Sequence, residues 1–470
     1  MPITYNESAH LLRRMGFSGT PDDITKLARK TREGAVDQLL NFDQVDNQDM
    51  EDKLSRTFPP KKFTPRDDLQ FWWIVRMILT ERPFEEKMTL FWHNHFATAL
   101  EKVDYPQMYV QNQMLRAHSL DRFDSLLLNV ARDPAMLVWL DGVTNELGSP
   151  NENFARELQE LFTMGTHDVV TGDANYSERD VKEIARAFTG WKFKQKHDKR
   201  YKYSFFVQSD QHDNTAKTIY GQTANFSGED VIEVICGRRA TARFLVKKLF
   251  EFFVYPLGDS NADHATIEKF ATVYFSADHS IKSLVRSIFV SDEFFSDRAR
   301  FGLVKSPAEL TVGSIRMLGL KYNPGNLQNG DFGLYETFKR MGFDLLNPFD
   351  VSGWRLNLGW LSTATVLQRY NFVTDLLSQR EPDKHALGAI LSDDQVKSFA
   401  NLDAAQTVRN ILNLLGPLNV GPDAVGMLAD YLQTDDDGHR VTWAINDDTI
   451  DERVRGLVFL IMCLPEFQMN

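Results

Sequence analysis

The feature that most constrains the fold of this chain is a helix-start signal that occurs three times. In each case a serine stands three residues before a glutamate or aspartate, and apolar residues with helical spacing follow. The pairs are Ser149 and Glu152, Ser177 and Asp180, and Ser306 and Glu309. In the first and third, proline follows the serine, and proline is favoured at the first position of a helix. The pattern predicts a mainly α protein.

A period-two pattern interrupts the helical sections. In residues 191–222 the stretch WKFKQKHDKRYKYSFFV alternates aromatic residues with lysines around a polar HDKR turn, which predicts a β-hairpin. We therefore expect a large single helical domain with a small β-hairpin insertion. Its sections are an N-terminal helical section (1–190), the β insertion (191–225), a second helical section (226–378), and a linker with C-terminal helices (379–470).

Composition excludes several classes of protein. The 470 residues carry a formal net charge of −12, which argues against general nucleic-acid binding. Cys236 and Cys463 stand in apolar runs, so neither a disulfide framework nor a cysteine zinc site is expected. The start of the chain lacks a signal-peptide pattern, and no apolar run reaches the ~20 residues of a membrane span. We expect a soluble, cytoplasmic protein.

The first candidate site is the aromatic stretch FWHNHF within residues 83–97. His95 continues an apolar helical stripe made by Phe84, Met88, Phe91 and Trp92. His93 points about 200° away from that stripe at ~100° per residue. We expect His95 to face inward, either as a ligand, acid or base, or as a buried histidine with a hydrogen bond. A metal site that uses both imidazoles requires a break in the helix and is the less favoured alternative.

The helix predicted from NENFARELQELF supplies carboxylates. Glu152, Arg156 and Glu160 follow one another at i, i+4, as in a solvated ion-pair ladder. Glu157 borders the apolar face one turn after Asn153, so it is the first candidate to meet an imidazole, with Glu160 second. The candidate metal ligands are therefore His93, His95, Glu157 and Glu160.

The loop before this helix contains Asp141 and Asn145. These residues can cap the helix, orient a histidine or hold a cation through oxygen atoms, and capping requires the least. The candidate catalytic set is His95, Glu157, Asn153, Arg156 and Asp141. The cofactor would be a divalent metal or non-covalent haem, held by His93, His95 or His118, and the absence of CxxCH excludes covalent haem.

Several long phrases resemble one family. They are AHLLRRMGFSGTP, PFEEKMTLFWHNHFAT, VARDPAMLVWLDG, PNENFARELQELFTMG, YSERDVKEIARAFTGW, the HD…KT…G stretch that begins at His212 and the closing CLPEFQ, in this order along nearly the whole chain. Together they resemble the large bacterial family catalogued as domain of unknown function 1800. That family has no established general activity. The resemblance implies a sulfatase-like partner protein, and it also implies export in many relatives, a pattern from which this sequence departs at its start.

Other residues are candidates for ligand binding. Lys194 and Lys202 belong to a basic hairpin face (Lys192, Lys194, Lys196, Lys199, Arg200 and Lys202) interleaved with tyrosines, which can grip an anionic polymer or glycan. Edge strands also use lysines to prevent aggregation. His212 and Asp213 form either an acid/base pair or a turn. Trp354 and Arg369 would suit a sugar or another ring-bearing ligand, although large aromatics are mostly core residues.

Two hypotheses follow. The first is a metal- or haem-dependent enzyme, oxidative or hydrolytic, with a His/Glu/Asn centre. The alternative is a non-catalytic binding or assembly protein that recognises an anionic polymer or a protein partner. Serine-hydrolase, zincin, kinase and Rossmann motifs are not present in the sequence.

Overall fold

The structure is a computed structural model that describes residues 1–59, 67–196, 201–320, 333–378, 402–444, 449 and 453–470. It divides into two compact units that interleave along the chain. Unit 1 comprises Met1–Phe84, Phe295–Asp344 and Arg355–Asn470, and unit 2 comprises Glu85–Phe294 and Leu345–Trp354. The four sections expected from sequence patterns are a different division and stay a prediction. Of the predicted linker, residues 379–401 lie outside the described residues.

The predicted mainly α fold is confirmed. Unit 1 begins with α1 (Tyr5–Arg14), α2 (Pro21–Leu27), α3 (Arg32–Leu40), α4 (Gln48–Thr57) and α5 (Asp67–Leu79). Helix α6 (Pro83–His95) follows, and all of it from Glu85 onward belongs to unit 2. Unit 2 also contains α7 (Tyr105–Ala117), α8 (Phe123–Arg132), α9 (Pro134–Trp139), α10 (Asn153–Glu160), α11 (Glu178–Ala187), α12 (Gly228–Cys236), α13 (Arg239–Phe253), α14 (Asn261–Ser276) and α15 (Ile281–Phe289). Unit 1 continues with α16 (Pro307–Met317), α17 (Leu334–Arg340), α18 (Thr363–Ser378), α19 (Ala404–Leu414), α20 (Pro422–Leu432) and α21 (Arg455–Met462).

Two of the three predicted helix starts are confirmed. Ser177 and Ser306 form capping boxes at the starts of α11 and α16. The start predicted at Ser149 is wrong, because α10 begins only at Asn153. The Ser149 N–H donates instead to the carbonyl of Glu146, which closes a short turn before the helix.

Helix α6 is buried on both faces, although its sequence pattern predicts one apolar face. On the second face, Trp354 at the end of the segment Leu345–Trp354 contacts His93 and Asn94, and all three belong to unit 2. The backbone N–H of Trp354 donates to the Asn94 side-chain oxygen at 2.6 Å. Gly353, at φ +86°, lies so close that a Cβ atom there would be 2.3 Å from the Asn94 carbonyl oxygen. Only glycine fits this approach.

The expected β insertion consists of two antiparallel hairpins in unit 2. Strand β1 (Trp191–Gln195) pairs with β2 (Tyr203–Val207), with Phe193 opposite Phe205. Strand β3 (Lys217–Ile219) pairs with β4 (Gln222–Ala224). Lys199 and Arg200, at the predicted tip of the first hairpin, lie outside the described residues.

Two further expectations can be compared with the structure. No helix within the described ranges is long and apolar enough to cross a membrane. Cys236 is buried and Cys463 is half-buried, and both are free thiols.

Candidate functional site

His95 is buried among aromatic rings of unit 2. Its Nε2 lies 3.0 Å from the carbonyl oxygen of Phe162, and because a carbonyl can only accept, Nε2 carries the hydrogen. The ring of Phe91 stacks on the imidazole at 5.8 Å, and Phe96 meets it edge-on at 4.6 Å. Burial, reinforced by the charge of Lys248, lowers the pKa of His95 to about 3. The ring is therefore neutral at physiological pH.

His93 faces the opposite side of α6 and is also buried. Its ring centroid lies 5.5 Å from that of Trp354, with the planes inclined by 43°. Burial lowers the pKa of His93 to about 3. The two imidazoles thus belong to different environments within unit 2.

The predicted metal ligands do not form a cluster. His93, His95, Glu157 and Glu160 are all described, and no group of three or more His, Cys, Asp or Glu side chains among the described residues could hold a metal ion. Burial raises the pKa of the half-buried Glu157, and the nearby charge of Glu160 adds to this. Glu160 itself accepts a hydrogen bond from the Tyr176 hydroxyl.

His118 does not have the surroundings of a buried haem ligand. Its side chain is 37% exposed, and Nδ1 pairs with Asp121 at 2.6 Å. The geometry of the described residues gives no support to the predicted metal or haem centre, which stays a prediction from the sequence.

The remaining candidate catalytic residues make ion pairs and hydrogen bonds close to the surface. Asp141 accepts from the Lys102 ammonium at 2.7 Å and from the Asn153 amide at 3.1 Å. Arg156 donates twice to Glu178, at 2.9 and 2.8 Å. These contacts join α10 to its neighbours, and in the first of them a lysine lies against the carboxylate predicted to hold a cation.

The side chains of His212 and Asp213 have separate hydrogen-bond partners, and their predicted role as an acid/base pair stays a prediction. The Asp213 carboxylate pairs with Arg186 at 2.8 Å, while His212 Nδ1 donates to the Thr189 carbonyl at 2.8 Å. Lys217 donates to the main-chain oxygen atoms of Asp213 and Thr215. The polar side chains therefore stabilise the chain between the two hairpins.

Trp354 and Arg369 are both core residues of their own units. Trp354 packs against His93 in unit 2. Arg369 is fully buried in unit 1 and donates to the Lys305 carbonyl at 2.8 Å and to Gln468 at 3.2 Å. Neither side chain is exposed enough to meet a large ligand.

A buried polar network in unit 2 includes residues that sequence reasoning missed. Gln111 donates to Asp133 at 2.8 Å and accepts from the Thr98 hydroxyl. Arg116 forms a buried ion pair with Glu86 at 2.7 and 2.9 Å. The sequence signal was the placement of polar residues such as Gln111 within apolar helices, but their partners Glu86 and Asp133 come from other elements.

Among the described residues of unit 2, a concave feature that we call the hairpin groove lies beside β1 and β2. Its volume is about 460 Å³. It is lined by apolar residues of α7, by the junction of α8 and α9, and by the hairpin; the members are Val110, Met114, Asn129, Arg132, Asp133, Pro134, Phe193, Lys196, Tyr201, Lys202, Tyr203 and Phe205. Aromatic rings and basic groups thus share one depression.

The chemistry of the groove is set by a few contacts. The Arg132 guanidinium lies 5.2 Å from the Phe205 ring centroid, and its Nη2 donates to Glu229 at 2.6 Å. Its Nε is buried without a hydrogen-bond partner in the described part of the chain. Asp133 is buried, and burial raises the pKa of its carboxyl to about 7. This carboxyl is therefore partly protonated near neutral pH.

Of the two predicted ligand-binding lysines, the groove includes only Lys202. Lys194 alternates with the groove-lining Phe193 along β1 and lies over the Phe206 ring at 5.8 Å, on the other face of the hairpin. The two lysines thus form a natural pair for comparison.

Comparison with known proteins agrees with the phrases quoted from the sequence. The family model described as a protein of unknown function, DUF1800, matches residues 10–469. No curated protein and no solved structure matches the chain. Because the match covers nearly the whole sequence, the chain belongs to the DUF1800 family.

Proposed function

We propose that the protein is a binding protein that holds an anionic polymer, a carboxylated or sulfated glycan, in the hairpin groove. The observation that carries this proposal is the composition of the groove lining, which combines the aromatic residues Phe193, Tyr201, Tyr203 and Phe205 with the basic residues Arg132, Lys196 and Lys202. Aromatic faces offer apolar area with a polar edge, which suits sugar rings. The basic groups supply charge-assisted hydrogen bonds to carboxylate or sulfate.

Arg132 is already held in position in the absence of a ligand. Glu229 fixes one nitrogen of the guanidinium, and Phe205 lies beneath the group. A side chain that is oriented beforehand loses less conformational entropy on binding, so Arg132 would contribute more than a mobile lysine.

The charge around the groove also favours an anion. The chain as a whole carries a net charge of −12, so attraction of anions has to be local. Asp133 is the carboxyl in the groove lining, and burial raises its pKa to about 7. Because it is partly neutral at pH 7, it repels an anion less than an ionised carboxylate would.

No observation on the described residues favours the metal- or haem-dependent enzyme, so that hypothesis remains a sequence prediction. The sulfatase-like partner implied by the family resemblance would meet sulfated ligands of the kind proposed here. The interaction with that partner and the expected cytoplasmic location are part of the proposal. Co-purification from the native cell, with fractionation of the compartments, tests both.

Calorimetric titration of the protein with dextran sulfate, and separately with neutral dextran, tests the proposed binding. We expect saturable binding of dextran sulfate alone, weakening as salt is added. Replacement of Tyr203 by alanine should weaken it by about tenfold, since loss of an aromatic contact costs about 1 kcal/mol or more. Tyr370→Ala, at a half-buried tyrosine of α18 in unit 1, is the matched control. Equal affinity of the two variants would overturn the proposal.

A further inference from the structure

A second concave site lies in unit 1, at the C-terminal end of α1. Its volume is about 550 Å³, and its lining includes Arg13, Arg300, Phe301, Asn6, Asn413 and Asn419. Arg13 belongs to the phrase AHLLRRMGFSGTP, which neither the groove nor the predicted centre uses. This cavity is the polar cavity of unit 1 and shares no residue with the hairpin groove.

The key residue of the cavity is Arg13, which is only 4% exposed. Its Nη1 donates to the Gly416 carbonyl at 2.9 Å, and its guanidinium lies 4.6 Å from the Phe301 ring centroid. Its Nε is buried with no hydrogen-bond partner, and no carboxylate of the described residues forms an ion pair with it. A buried guanidinium without an ion-pair partner destabilises the folded protein unless an anion binds beside it.

Neighbouring charges increase the positive potential at Arg13. Arg300 and Asp297 both line this cavity, 3.9 Å apart, and the Asp297 side chain is fully exposed, so solvent screens its negative charge. Arg14 and Lys305 are buried and repel Arg13, while Glu309 is the acidic group that acts on both of them. Burial first, and then the charge of Arg300, lower the pKa of Arg13 to about 10. The acidic Glu7, which acts on Arg300, is engaged with Thr4 in the capping box of α1.

One residue in contact with Arg13, Phe301, has an unusual backbone conformation. Phe301 has φ +52°, which is rare for a bulky residue, whereas the φ of +94° at Gly416 is one that glycine adopts without strain. These conformations bring the ring and the carbonyl against the guanidinium. Such strain persists where the surrounding structure fixes it, and functional sites are common places for it.

We propose that this cavity binds a small anion that carries a carboxylate, phosphate or sulfate group, with Arg13 and Arg300 as its cationic ligands. The volume falls within the usual range for small-molecule sites, so the ligand is a compact organic or inorganic anion and not a polymer. The side-chain amides of Asn6, Asn413 and Asn419 can bond to its polar groups. This inference does not depend on the function proposed for the groove.

Calorimetric titration with sodium phosphate, sodium sulfate and sodium citrate, each at the ionic strength of a sodium chloride reference, tests the proposal on the full chain. At least one anion should bind saturably, and the three arms separate phosphate, sulfate and carboxylate ligands. Arg300→Gln, at the partly exposed wall, should weaken binding about tenfold through the loss of one charge-assisted hydrogen bond. Arg13→Lys, which keeps the charge but loses the planar fork, should also weaken it.

The matched control is Arg29→Gln, which removes an exposed positive charge in unit 1 away from the cavity. We expect this variant to bind like the wild type. The proposal is overturned if none of the three anions saturates, if Arg300→Gln binds like the wild type, or if Arg29→Gln loses as much affinity. Since Arg13→Lys alters a buried residue, the Arg300 variant keeps the test valid if the Arg13 variant does not fold. Variants of the hairpin groove in unit 2 should leave the affinity for these small anions unchanged, which separates the two sites.

Discussion

The carboxylate of Asp133 accepts a hydrogen bond of 2.8 Å from the side-chain amide of Gln111, within the lining of the hairpin groove. The same oxygen accepts from the Met136 N–H at 3.0 Å, so Asp133 also caps α9. One residue thus connects the buried polar network of unit 2 to the proposed ligand site. Its protonation is a property of the fold that solution measurements can detect.

Asp133→Asn should change the pH dependence of stability. Burial raises the pKa of the folded-state carboxyl to about 7, above its unfolded value, so the wild type loses stability as pH rises from about 4 through 7. Asparagine keeps an acceptor for Gln111 and Met136 and does not ionise. From pH 5 to pH 8, the free energy of unfolding of the variant relative to the wild type should rise by roughly 2–3 kcal/mol. Urea unfolding at both pH values measures this, and a constant difference would contradict the assignment.

His95→Gln should show the opposite pH dependence. Burial lowers the pKa of His95 to about 3, below its unfolded value, so its contribution to stability is present above about pH 6.5 and is lost as pH falls. Glutamine can still donate to the Phe162 carbonyl. The cost of the substitution should therefore be about 2 kcal/mol smaller at pH 5 than at pH 8. A cost independent of pH, again measured by urea unfolding, would mean that His95 is not held neutral.

The ion pair between Arg116 and Glu86 should be strongly coupled. Their side chains are 6% and 0% exposed. Glu86→Ala leaves the arginine buried without this carboxylate and should cost about 3–5 kcal/mol in the free energy of unfolding. In a double-mutant cycle, Glu86→Leu combined with Arg116→Met should cost less than the sum of these two substitutions made singly. Additive costs in this cycle would show that the pair contributes little.

Metal content provides a check on the centre expected from the sequence. Because His93, His95, Glu157 and Glu160 do not form a ligand cluster, any metal in the purified protein should be unaffected by His95→Ala. Elemental analysis and an absorption spectrum of both proteins measure this. Stoichiometric metal or a Soret band that disappears in the variant would reinstate the metal or haem hypothesis.

Local patterns predicted much of the fold. The capping boxes at Ser177 and Ser306 and the alternation in β1 and β2 depend on neighbours within a few residues, and all three predictions are confirmed. The start predicted at Ser149 failed because a competing turn to Glu146 uses its N–H. The serine signal alone does not reveal that competitor.

Long-range contacts explain most of what the sequence did not predict. His93 is buried because Trp354, some 260 residues later in the chain, covers its face of α6. The helical wheel places His93 away from the apolar stripe but cannot supply that cover. Likewise, Asp133 reaches the groove only because β2 and α7 pack around the start of α9. The basic hairpin was visible in the sequence, but the distinction between Lys202 and Lys194 comes from the lining of the groove in three dimensions.

That distinction allows the most direct test of the proposed function. The measurement is the affinity of Lys202→Glu and Lys194→Glu for dextran sulfate, with both variants at the same ionic strength. Both reversals change the net charge equally, and both lysines are exposed. The account predicts that Lys202→Glu weakens binding at least tenfold more than Lys194→Glu, because Lys202 alone of the two lines the groove. Equal losses, or no loss in either variant, would contradict a ligand site in the hairpin groove.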